Sequence, residues 1–323
     1  MWLAVLSLIF GFVTLVWSAD RFVNGSAVTA KNLGMSKMLI GLTVVALGTS
    51  APEILVAITA SASGKPLLAI GNAIGSNIAN IGLVLGVTAI IAPLPFAPAV
   101  LRSELPWLMG ATLAALITLF DLNIGFWDSV ILLVGLALIL ARLIREQKKH
   151  PELVDESLAE LDEIPDVSTR VGFYWLVTGL LVLLGSAKIL VWAAVTVAGG
   201  LGVSELIIGL TVVAVGTSLP ELAATITSAL KGHADIAIGN VVGSNILNIL
   251  AVLAVPGLIT TTELEPSVLW RDYGMMLALT LLLVLFAYGM GSRAMITKFE
   301  GGVLLLSWLG YNMLLYSTID GVR

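Results

Sequence analysis

The stretch "VVALGTSAPE", Val44–Glu53, sets a glycine, two hydroxyls, a proline and a carboxylate within six residues of a segment otherwise apolar enough for lipid. The same string returns as "VVAVGTSLPE", Val212–Glu221, shifted by 168 positions. Outward from it, residues 41–86 align without gaps to 209–254 with 26 identities in 46 positions, and "LGMS" at 33–36 pairs with "LGVS" at 201–204. The chain is an internal duplication, and a repeat found at this level governs every later reading.

Composition supplies the solvent. Of 323 residues, 58% are hydrophobic and 11% charged, against about 25% charged in soluble domains, and the mean hydropathy is +1.04. Apolar runs near the roughly 20 residues that cross a bilayer recur throughout. The N-terminal "MWLAVLSLIFGFVTLVWSAD" has no basic residue before its apolar run, so it reads as a first membrane helix rather than a secretory leader. The chain has no Cys, and its histidines are His150 and His233. Disulfides and thiolate sites are excluded, and an imidazole-ligated metal site or a Ser-His-Asp triad is disfavoured. No "GxxxxGK[ST]" string offers a nucleotide site, and neither a nucleic-acid partner nor a cofactor is expected.

Ten spans are expected, near 2–19, 38–62, 67–93, 104–120, 125–144, 172–198, 205–230, 236–258, 269–289 and 300–318. Residues 145–170, with eight acids from Glu146 to Asp166, form the one long polar connection and read as a solvated linker rather than an ion sensor. It separates a first five-helix repeat, 1–144, from a second, 171–323. Because five is odd, the second must enter the membrane upside down, a recurring plan of secondary transporters. The expected fold is therefore an all-α polytopic membrane protein of ten helices in two inverted repeats, with helices broken at the midplane.

Basic residues set the orientation. With the N-terminus outside, Arg21, Lys31, Lys37, Arg102, Arg142, Arg145, Lys148, Lys149, Arg170, Lys231, Arg293 and Lys298 face the cytoplasm, and Lys65, Lys188, Arg271 and Arg323 face out. Both termini are then outside and the acidic linker is cytoplasmic. Asp20 and Arg21 read as the end of the first helix, with Lys188 in the place of Asp20 in the second half, and Arg21 and Lys188 read as snorkelling to the interface. Arg102, Glu104, Arg271 and Asp272 read as anchors at helix starts, and His233 as a loop residue.

The repeated motif makes oxygen available inside this apolar frame. A helix passing through Pro52 or Pro220 deprives the carbonyl four residues back, at Gly48 or Gly216, of its partner. Irregular backbone at that depth is tolerated where it faces protein or a wet cavity. Thr49 and Glu53 share a helix face, with Ser50 beside them. The following helix carries Asn72, Ser76 and Asn80 in "GNAIGSNIANIG". Thr217, Ser218, Glu221, Asn240, Ser244 and Asn248 repeat the set. All these side chains present oxygen, the ligand of hard cations such as calcium, and two glutamates would balance one divalent ion. Burying each acid costs about 2.5–3.5 kcal/mol on insertion scales, which marks the pair as functional. Asn72 and Asn240 suit tying loose backbone as well as touching an ion, and Gly71, Gly75, Gly239 and Gly243 suit close helix packing.

"GTSAPE" with "GNAIGSNIANIG", and "GTSLPE" with "GNVVGSNILNIL", closely resemble the two alpha-repeats of the calcium/cation antiporter superfamily, nearest its bacterial and archaeal sodium/calcium exchanger branch. The resemblance implies that sodium and calcium compete for one central cluster while the first and sixth helices slide past the core. It implies ligands at Thr49, Ser50, Glu53, Ser76, Asn80, Thr217, Ser218, Glu221, Ser244 and Asn248, with the backbone carbonyls of Ala46 and Ala214. Where some relatives carry Asp this chain has Asn248, which disfavours the potassium-dependent branch. The expected activity is sodium/calcium antiport in the plasma membrane. Proton/calcium antiport is the alternative, and a passive cation channel is more remote.

Overall fold

The computed structural model describes residues 2–35, 37–98, 100–149, 167–200, 214–288 and 294–320. Most of the acidic linker and the start of the span expected at 205–230 lie outside these residues.

The described chain is helical nearly throughout. Its first-half helices are α1 (Trp2–Leu33), α2 (Lys37–Ile40), α3 (Ala46–Thr49), α4 (Ala51–Ala62), α5 (Pro66–Ala79), α6 (Gly86–Ile91), α7 (Leu105–Thr118) and α8 (Phe126–Lys149). The second half gives α9 (Thr169–Gly200), α10 (Ala214–Thr217), α11 (Leu219–Leu230), α12 (Ala234–Leu247), α13 (Ala254–Ile259), α14 (Gly274–Tyr288) and α15 (Lys298–Asp320). The bounds of α3 to α6 reappear in α10 to α13 shifted by 168 positions. The duplication reaches irregular features too. The π-helical turn Asn80–Leu85 matches Asn248–Val252, Val100–Glu104 matches Val268–Tyr273, and the left-handed Gly64 (φ 71°) matches Gly232 (φ 74°).

Among the described residues, seven helices are long and apolar enough to cross a membrane, or eight when the bent pair Gly41–Thr49 and Ala51–Ala62 counts as one span. Four two-residue strands add two antiparallel ladders: β1 (Leu94–Pro95) with β4 (Met295–Ile296), and β2 (Asn123–Ile124) with β3 (Thr262–Glu263). Each ladder takes one strand from each half of the sequence.

The chain folds as two compact units that cut across the repeats: Met1–Glu53 with Ile139–Ser244, and Ile54–Leu138 with Asn245–Arg323. The core of the first unit is the pairing of α1 with α9, around Phe22, Val28, Leu176 and Leu183. Glycines permit it: a Cβ at Gly25 would lie 2.3 Å from the Leu176 nitrogen, and one at Gly179 would lie 2.5 Å from that of Phe22. Without a hydrophobic drive between helices in lipid, such close contact is a main source of association. In the second unit the same device joins Gly82 and Gly86 to α15, where a Cβ at Gly86 would lie 2.9 Å from the Leu305 nitrogen.

The first helix is longer than its apolar run suggested. It continues to Leu33, since residues 22–30 are, apart from Asn24, small or apolar and almost all buried. Asp20 and Arg21 therefore sit within a helix, not at its end. Asp20 pairs with Lys231 at 2.6 Å, and Arg21 lies over the rings of Trp17 and Trp175, at 5.9 and 5.4 Å. His233 lies, as expected, in the connection between α11 and α12. It is buried, and its N–H donates to the Ser228 carbonyl at 2.8 Å.

Candidate functional site

The helix break lies at Ser50, two residues before the proline that announces it. Ser50 (φ −81°, ψ 6°) and Ser218 (φ −89°, ψ 4°) share the same non-helical conformation, one suited to the third residue of a turn. Pro52 and Pro220 follow in the first turn of the next helix, where a missing N–H removes no helical bond. The axes on either side of Ser50 differ by 49°. Each proline thus opens a second helix instead of interrupting a continuous one through Gly48 or Gly216.

This geometry places Glu53 and Glu221 in the first turns of α4 and α11. Unpaired N–H groups and the positive end of the helix dipole favour an anion there. Both carboxylates are only 1% exposed. Within the first unit, the Ser50 hydroxyl donates to Glu221 Oε1 at 3.3 Å, joining the motif of one repeat to that of the other. Thr49 donates to Asn240 Oδ1 at 3.1 Å, and Asn240 Nδ2 donates to Thr225 Oγ1 at 3.0 Å and to the Glu221 carbonyl at 3.5 Å. Asn240 thus ties both hydroxyl and backbone groups.

Ser218 and Ser244 are buried beside these elements of the first unit. Their hydroxyls, with Glu221 Oε2, make no hydrogen bond among the described residues. A buried acceptor normally has a partner, so a unit holding several such oxygens has coordinating capacity. Thr217 is half-buried, and Ala214 opens α10 with its side chain outside the described residues.

The second unit holds Ser76, Asn80 and Asn248, all buried. Asn80 and Asn248 each open a π-helical turn, a local widening common at functional sites. Asn80 Nδ2 donates to Asn245 Oδ1 at 3.0 Å, while neither amide atom of Asn248 has a hydrogen-bond partner among the described residues. Sequence reasoning passed over Asn77 and Asn245. Each is 1% exposed, and Asn77 Nδ2 reaches Met276 Sδ at 3.4 Å. Their recurrence in "GSN" of both repeats was the available signal. Among the described residues no three His, Cys, Asp or Glu side chains group to hold a metal.

Residues 3–145 and 171–317 match the family described as sodium/calcium exchanger protein. The chain belongs to the sodium/calcium exchanger family. It is 44% identical over 321 residues to CaxA of Alkalimonas amylolytica, covering 98% of this chain and 100% of that protein. It is 38% identical to the inner membrane protein YrbG of Escherichia coli, with 96% and 98% covered. Its fold is similar to that of the sodium-calcium exchanger NCX_Mj soaked without sodium or calcium, at TM-score 0.80 and 32% identity over 99% of each chain. This exchanger-family chain is a multi-pass membrane transporter of cations.

Proposed function

We propose that this protein exchanges sodium for calcium by alternating access, exporting calcium across the plasma membrane. Its cations would bind at Thr49, Ser50, Glu53, Ser76, Asn80, Thr217, Ser218, Glu221, Ser244, Asn248 and the carbonyls of Ala46 and Ala214. The observation that carries the reading is the repeat-related pair Glu53 and Glu221, each 1% exposed in the first turn of a half-helix. Two fixed negative charges with neutral oxygens balance one calcium, or accept sodium ions in its place. Left empty and charged in a closed site, the pair opposes the conformational flip, which ties the movement of one ion to that of the other.

The proposed architecture is ten spans in two inverted repeats. To the eight spans counted above it adds α15, of 23 residues, and the α10–α11 equivalent of the bent pair. The ladders support the inversion. β1 and β3 are repeat equivalents, yet β1 pairs with β4 and β3 with β2. Equivalent connections thus lie at opposite ends of the helices in that unit. On the basic-residue pattern the termini face outward and the 145–170 linker faces the cytoplasm.

The test is calcium uptake by proteoliposomes loaded with sodium. Sodium-coupled exchange gives uptake that collapses without the sodium gradient and in Glu53→Gln or Glu221→Gln. Uptake that follows an imposed proton gradient instead would assign the protein to proton/calcium exchange.

A further inference from the structure

The Thr49 hydroxyl has one proton and three acceptors in reach, one of them the Glu221 carboxylate. Asn240 Oδ1 lies at 3.1 Å and the Ala46 carbonyl, three residues back on its own helix, at 3.4 Å. A hydroxyl donates once, so these bonds exclude one another, and the proton that Asn240 takes is withheld from both the Ala46 carbonyl and the Glu221 carboxylate. Other buried hydroxyls of this protein make the local choice at shorter range: Thr29 to Gly25 at 2.6 Å, Thr88 to Val84 at 2.7 Å, Ser26 to Phe22 at 2.8 Å. Thr49 stands off from its own helix and turns to an amide from the other repeat.

The Ala46 carbonyl already accepts the Ser50 N–H at 2.9 Å. A carbonyl oxygen has two lone pairs. If Thr49 also donated to it, both would be engaged and none would remain for a cation. Asn240 is held in the orientation that prevents this, because its Nδ2 is engaged by Thr225 Oγ1 and the Glu221 carbonyl. Its oxygen is thereby turned toward Thr49, and the whole arrangement is buried, with Asn240, Thr49 and Thr225 all at 0% exposure.

We infer that Asn240 is a positioning residue that takes the Thr49 proton and so keeps one lone pair of the Ala46 carbonyl open to the transported cation. The inference rests on the proposed function, in which that carbonyl is a ligand. It also makes binding reciprocal between the repeats, since an amide of the second governs a backbone ligand of the first.

The experiment is a double-mutant cycle on the full chain in proteoliposomes, read as the calcium concentration giving half-maximal sodium-driven uptake. Asn240→Leu has similar volume and no acceptor, and should raise that concentration about tenfold, the scale of one lost polar contact to an ion. In a Thr49→Val background there is no proton to displace, and Asn240→Leu should then change it by about twofold or less. Asn240→Asp retains an acceptor and should give a lower half-saturation than Asn240→Leu. A packing role predicts the reverse order, because a buried carboxylate is harder to accommodate than an apolar isostere.

Equal effects of Asn240→Leu in both backgrounds, or a weaker Asn240→Asp than Asn240→Leu, would overturn the inference. Should Asn240→Leu not yield monodisperse protein, Thr225→Val loosens the same amide. It should raise calcium half-saturation about threefold, a fraction of one hydrogen bond, and only when Thr49 is present; no shift would overturn the inference. Exchange retained in Glu53→Gln and Glu221→Gln would instead remove the proposed function beneath it.

Discussion

Gly243 and Gly75 occupy equivalent places in the two repeats. A Cβ at Gly243 would lie 2.4 Å from the Leu42 carbonyl oxygen, while among the described residues nothing comes within 4 Å of one at Gly75. The contrast extends along both helices. Asn240 is fully buried on α12, whereas on α5 Asn72 is half-buried and Leu67 and Leu68 are 49% and 58% exposed. The Ser50 hydroxyl binds Glu221, while the Ser218 hydroxyl has no hydrogen bond among the described residues. Even the backbone differs: the Ser50 N–H reaches back four residues to Ala46, that of Ser218 only three, to Val215. Nearly identical segments thus stand in unlike environments. Under the proposed alternation, these environments are exchanged when the transporter changes state.

The carboxylates should show the least contrast and the largest effect. Glu53→Gln and Glu221→Gln should each lower sodium-driven calcium uptake about 100-fold or more, since a divalent ion loses half of its balancing charge in a poorly solvated site. Flux measurements on both variants check this, and unequal losses would break the equivalence of the repeats.

The glycines sharpen it. Gly243→Ala should destabilise the protein by about 1–3 kcal/mol through overpacking against Leu42 and Ala46. Gly75→Ala should leave thermal stability unchanged and slow exchange about tenfold, because it obstructs the close approach in the other state. Thermal melts beside uptake rates separate the two outcomes. Unaltered exchange in Gly75→Ala would mean that the glycine asymmetry is fixed rather than exchanged.

A smaller difference is expected between the serines. Ser50→Ala removes a bond to a buried carboxylate and should raise sodium half-saturation about tenfold. Ser218→Ala removes none in this state and should raise it by about threefold or less. Sodium titrations of exchange measure both. The smallest effect belongs to Asp20–Lys231, whose side chains are 43% and 29% exposed. Lys231→Ala should alter stability by about 1 kcal/mol or less, checked by the same melts.

Much of this was legible. The two copies of "GTSxPE" announced both the duplication and the break, because Gly, Pro and a carboxylate inside an apolar run have few other uses. The position of the break was less accessible. Pro52 reads as an obstacle within a helix, whereas it starts a new one, and only the conformation of Ser50 reveals the difference. Hydropathy ended the first helix at residue 19, yet the helix continues through small residues that pack on α9. Amide roles were the least legible. Asn77, Asn245 and Asn240 lie in the repeated motif, but which atom each one bonds depends on partners distant in sequence, such as Thr49 and Met276. The expectation of close packing fits Gly243 and, among the described residues, neither Gly71 nor Gly75.

The most direct test of the central claim is calcium uptake into sodium-loaded, potassium-free proteoliposomes with equal pH on both sides. Sodium-coupled exchange predicts uptake against a calcium gradient that stops when the sodium gradient is removed. Uptake that needs a proton gradient, or that runs only down calcium's own gradient without a counter-ion, would contradict it.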